Sequence, residues 1–105
     1  MKYYVIAGTF FQYKEYKNLH YPEMLLNRQI ENVSDIVYVT TVDTIKGVSN
    51  PNGIFIGTWY NRSDIGPILL QLLISSTTTS KQDSIKSAMN ILQDLRDNHA
   101  RNTRS

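Results

Sequence analysis

Three short apolar runs, Tyr3 to Ala7, Ile36 to Val39 and Ile54 to Ile56, constrain this chain more than any other feature. None alternates apolar with polar residues, so each expects cover on both faces, as strands of a parallel sheet do. Gly8 closes the first run and Gly57 the third. The second strand is read over Asp35 to Thr41, after an Asn32–Ser34 loop. Asn50-Pro51-Asn52-Gly53 is a strong turn signal ahead of the third.

Helical spacing fills the gaps. Phe11, Tyr16, Leu19, Met24, Leu25 and Ile30 recur at helical intervals, and Pro22 is expected to divide them and begin a second short helix. Asp43 to Gly47 reads as one helical turn with Asp43 as cap and Gly47 as stop. Ile65, Ile68, Leu69, Leu72 and Leu73 form a helical stripe capped by Asp64, and Pro67 falls in the first turn, where its missing N–H costs little. Ser75 to Ser80 is a polar linker, and Ser80 with Asp83 resembles a capping box. The last helix shows Ile85, Ala88, Met89, Leu92 and Leu95 on one face. The reading is therefore α/β: a small three-stranded parallel, Rossmann-like sheet of order 2-1-3, with a C-terminal amphipathic helix. Residues 1–74 make the α/β domain, 75–80 the linker, 81–98 the helix and 99–105 a frayed basic tail.

Composition removes several function classes. The chain of 105 residues contains no cysteine, which excludes disulfides, thiolate catalysis and cysteine-held metals. A net charge of +2 is too small to suggest nucleic acid, and Arg96, Arg101 and Arg104 carry no interleaved aromatics. The opening run is too short for a signal peptide, and Ile65 to Ile74 falls well below the roughly 18 apolar residues of a membrane span. A cytoplasmic protein is expected. His20 and His99 have no partner at metal-ligand spacing, so no metal or cofactor is expected. Nucleotide-binding glycine signatures and the nucleophile elbow are missing, so the reading leans away from an enzyme.

The candidate site comes from a near-repeat. Ala7-Gly8-Thr9-Phe10-Phe11 and Ile56-Gly57-Thr58-Trp59-Tyr60 each read strand, Gly, Thr, two aromatics. In a parallel sheet both elements reach one rim, where open α/β sheets bind ligands beside the reversal in strand order. Gly8 and Gly57 allow close approach to backbone N–H groups, and Thr9 and Thr58 add hydroxyls. Phe10 and Trp59 offer faces for a base, Asp43 an acceptor for a ribose, and Lys46 and Arg62 cations for phosphate. Against each residue stands a plainer role: turn glycine, core aromatic, helix cap, solvated charge.

The opening Tyr4-Val5-Ile6-Ala7-Gly8-Thr9-Phe10-Phe11 resembles nucleoside 2-deoxyribosyltransferases. That likeness implies a nucleoside pocket, with Thr9 where the family has proline. The family's nucleophilic glutamate has no match, since the last Glu is Glu31. The strand ending Ala7-Gly8, with Asp35-Ile36-Val37-Tyr38-Val39, Ile45-Lys46-Gly47 and Ile56-Gly57-Thr58-Trp59-Tyr60 before Asp64, looks like small Rossmann-like phage proteins. This resemblance implies a viral accessory protein in a bacterial host. By analogy, a catalytically bare pocket there implies binding of a nucleotide-derived signal and its sequestration, as anti-defence sponges do. The alternatives are a protein that docks on a host protein through its apolar helices, the Leu-rich helix of Ile65 to Ile74 or the last helix, or a small nucleoside-acting enzyme using Asp43 or Asp64. A homo-oligomer is expected, because three strands leave edges and the helices carry apolar excess.

Overall fold

The first strand, β1 (Tyr3–Ala7), lies between β2 (Ile36–Tyr38) and β3 (Asn52–Ile56). A computed structural model describes residues 1–104, with side chains through Asn98. The three strands are parallel in order 2-1-3, with Tyr3 opposite Ile36 and Asn52, and Val5 opposite Tyr38 and Ile54. The expected sheet and strand order are both present.

Cover on both faces explains why the strands do not alternate apolar with polar. Val5 and Ala7 turn to α1 (Phe10–Leu26), where they meet Tyr13, Met24, Ile30 and Ile36. Tyr4 and Ile6 turn to α2 (Ile65–Ser75) and α3 (Thr79–Arg104), meeting Ile68, Leu69, Leu72, Ile85 and Leu92. Each fully buried Ile or Leu of this second cluster contributes about 1.5–3 kcal/mol of burial. The Tyr13 hydroxyl donates to the Ile36 carbonyl at 2.6 Å, tying α1 to β2.

Several boundaries differ from the pattern. Pro22 does not divide its segment, because α1 runs unbroken for 17 residues. Its side chain and Asn18, whose carbonyl loses its donor, are both solvent-exposed, so water can serve that carbonyl. Asn52 and Gly53 belong to β3, and the turn before it bends at Asn50, which has a φ of 51°. β2 is shorter than expected. A 3-10 turn covers Val42–Thr44 with Thr41 at its start, so Asp43 is inside the turn and not its cap; Gly47, with a φ of 79°, is the stop.

Asp64 stands at the α2 N-terminus without making a side-chain cap bond. Ser76 is buried and donates to the Leu72 carbonyl at 2.6 Å, so the expected linker contains a packed residue. Thr77 N and Lys81 Nζ bond Asn50, which anchors the α2–α3 connection. With α3 starting at Thr79, Ser80 falls within its first turn. The α3 backbone continues to Arg104, past the expected end at Asn98. Side chains of 99–104, and Ser105 altogether, lie outside the described residues, and the expected basic tail lies there with them.

Candidate functional site

Because all three strands run one way, β1 and β3 deliver Gly8 and Gly57 to the same rim. There the two Gly-Thr elements touch. A Cβ at Gly8 would fall onto Thr58 Oγ1 and within 2.7 Å of the Thr58 carbonyl. Gly8 is thus required by the approach of its own chain, and Gly57 by a φ of 55°.

The backbone donors at this rim converge on one acceptor, and Gln12 supplies it. Gln12 Oε1 accepts from Gly8 N at 3.0 Å and Thr58 N at 3.1 Å. The Thr58 hydroxyl donates to the same oxygen at 3.3 Å and meets Gln12 Nε2 at 3.2 Å. Thr9 serves as the N-cap of α1, accepting from Gln12 N at 3.1 Å. The sequence contains a sign of Gln12's role, since Thr9-Phe10-Phe11-Gln12 has capping-box spacing. The glutamine reaches past Thr9 to the neighbouring loop instead of closing that box.

Arg62 is used just as fully. Its Nη1 donates to the carbonyls of Val39 at 2.6 Å and Ala7 at 3.2 Å, and its Nη2 to that of Thr40 at 3.0 Å. Nε and Nη2 hold both oxygens of Asp64 at 2.9 and 3.0 Å. These five bonds occupy all five N–H donors of a guanidinium. The side chain is 7% exposed and lies against the Tyr38 ring. It joins the ends of β1 and β2 from within the protein.

The other candidates scatter. Trp59 is buried, packing on Phe55 at 5.1 Å and edge-on to Tyr60 at 5.7 Å, so it belongs to the α2–α3 core. Phe10 keeps 56% exposure and packs beside Tyr13 and Tyr38, with Lys14 over its ring. Asp43 and Lys46 pair at 3.1 Å in solvent. Asp64 is held at both oxygens by Arg62.

Titration is displaced at packing and turn groups. Burial raises the Tyr13 hydroxyl, and burial with Tyr3 nearby raises that of Tyr16. Backbone N–H groups of Glu31 and Asn32 hold the Asp35 carboxyl below its ordinary value. No cluster of three metal-ligating side chains exists among the described residues. No helix among them is long and apolar enough to cross a membrane. No family profile, curated protein or solved structure matches the chain.

The rim therefore brings Gly8, Thr9, Gly57, Thr58 and Arg62 into one construction, and its hydrogen bonds are made internally. Apolar surface lies elsewhere. Phe11, Leu19 and Leu26 are 69%, 74% and 83% exposed. At 100° per residue they share the side of α1 opposite Tyr13 and Met24, together with Glu15, Asn18 and Pro22.

Proposed function

We infer that the protein is a non-catalytic binding domain that docks on another protein through the outward side of α1. The observation that carries this reading is the line of Phe11, Leu19 and Leu26, exposed along a helix whose other side already meets the sheet. A solvent-facing helix side is ordinarily polar, and an apolar one marks a contact surface. Glu15 lies within the line, with Glu23 on one flank and Lys14 on the other, so the complementary partner is an apolar groove that receives a helix and offers a cation to Glu15.

The test is Leu19→Lys combined with Leu26→Lys. Both side chains are exposed, so stability changes by no more than about 0.5 kcal/mol for each. Proteins that co-purify with the parent from host cells are lost from the variant. Recovery of the same proteins at the same yield would remove this reading.

The second reading is a nucleotide-type ligand at the rim, with sequestration of a host signal as its use. It is supported by the convergence of Gly8 N, Thr58 N and the Thr58 hydroxyl on one oxygen. A phosphate oxygen would take the place of Gln12 Oε1 after that side chain swings out. A nucleotide and cyclic-nucleotide panel that fails to raise the melting temperature of either parent or Gln12→Ala would end this reading.

A further inference from the structure

We propose that two copies of this chain join through the free edges of β3, making one continuous six-stranded sheet of order 2-1-3-3′-1′-2′. Within one chain β3 pairs only with β1, so its other edge is open along Asn52–Ile56. Proteins protect such edges with charge, proline, bulges or brevity. The β2 edge is brief, at three residues. β3 has five, and its own residues carry no ionisable group or proline; Pro51 stands just before it, and Lys81 and Glu23 line the grooves on its two faces. A neutral edge suits a partner that is itself, because across a two-fold axis any charge near the axis would meet its own copy.

Gly53 supplies the second argument. Its chain does not need a glycine there. A Cβ would meet Ile6 and Leu72 at 3.6–3.7 Å, ordinary apolar contact, and its φ is not positive. Glycine inside a strand weakens it, unless something else approaches closely. Phe55, two residues on, is half-buried on the same face, toward α2 and α3. Antiparallel pairing centred on Ile54 sets Phe55 of each copy over Gly53 of the other. It also sets Ile54 against Ile54 and Asn52 against Ile56 on the α1 face. Every side chain then lies opposite one from its own face, as antiparallel pairing requires. The aromatic ring fills the space that the glycine leaves, once on each side of the axis.

Grooves border the edge on both faces. One, lined by Gly53, Phe55, Ile85 and Lys81, holds about 30 Å³. The other, lined by Ile54, Tyr3, Tyr16 and His20, holds about 250 Å³. Only the second is roomy enough to take a side chain of an added strand, since the first matches the volume of about one water. This inference goes beyond the α1 docking surface and does not depend on it.

Light scattering during gel filtration reads the mass. The parent should run at about twice 12.1 kDa at tens of micromolar. Ile54→Lys sets two ammonium groups against each other and should halve that mass, with circular dichroism confirming the fold. Ile54→Cys reads the register without relying on Lys tolerance. The chain has no other cysteine, and directly opposed residues in an antiparallel pair lie within disulfide reach. Mild oxidation should yield a covalent dimer of Ile54→Cys and leave the exposed control Ser49→Cys uncrosslinked. A monomeric parent would leave the edge to an extended segment of a different protein and overturn the proposal. So would a dimer that survives Ile54→Lys in folded form, or one in which Ile54→Cys does not crosslink.

Discussion

Arg62→Met lowers the stability of the fold by about 3 kcal/mol, which for a chain of this size moves the melting temperature by roughly 15 °C. Methionine keeps the apolar stem and removes all five N–H donors. The carbonyls of Ala7 and Val39 belong to fully buried residues, and each loses its guanidinium partner. Asp64 loses both of its bonds, but at 36% side-chain exposure it can recover water, which keeps the total below the cost of a wholly buried pair. Arg62→Lys should recover less than half of the loss, because one ammonium cannot reach three carbonyls and a carboxylate from a single position. Thermal melts of the parent and both variants measure this directly. An unchanged melting temperature for Arg62→Met would mean that the guanidinium is free for a ligand's phosphate, and would revive the rim as a binding site.

That outcome also marks what the sequence can and cannot reveal. The sheet was legible because strands covered on both faces are apolar throughout, and Tyr3–Ala7, Ile36–Tyr38 and Ile54–Ile56 keep that pattern. Convergence of Gly8 and Gly57 followed from the parallel order. The uses of Arg62 and Gln12 did not follow, because their partners are backbone amides and carbonyls, which look alike at every position. Only three-dimensional placement brings Val39, Ala7 and Thr40 within reach of one guanidinium. The sequence leaves Trp59 open between rim and core for a related reason: an aromatic after a strand can face either, and the 3-10 turn at Trp59–Asn61 turns it inward. Pro22 shows the limit of local rules, since a proline is tolerated in mid-helix where the carbonyl it orphans faces water.

Gly8→Ala is the second large effect, a loss of about 2–3 kcal/mol from overpacking. The added methyl would overlap Thr58 Oγ1 and sit 2.7 Å from the Thr58 carbonyl carbon and oxygen. A side chain can rotate away, but the backbone of Thr58 cannot retreat without parting the ends of β1 and β3. That movement would also separate Gly8 N and Thr58 N, which share Gln12 Oε1. Gly57→Ala should cost a comparable amount, because the ~1–2 kcal/mol of placing a Cβ in the left-handed region is joined by displacement of the Gln12 amide, which the new Cβ would overlap and which holds Gly8 N and Thr58 N. Adding Thr58→Ala to Gly8→Ala removes the hydroxyl overlap and leaves the backbone one, so it should return part of the loss and not all of it. Urea denaturation of the three single variants and the double variant gives the ranking and the coupling. If Gly8→Ala were as stable as the parent while Gly57→Ala were not, the contact between the two loops would not be what fixes this rim. Gly8 would then be a residue kept for something outside the chain.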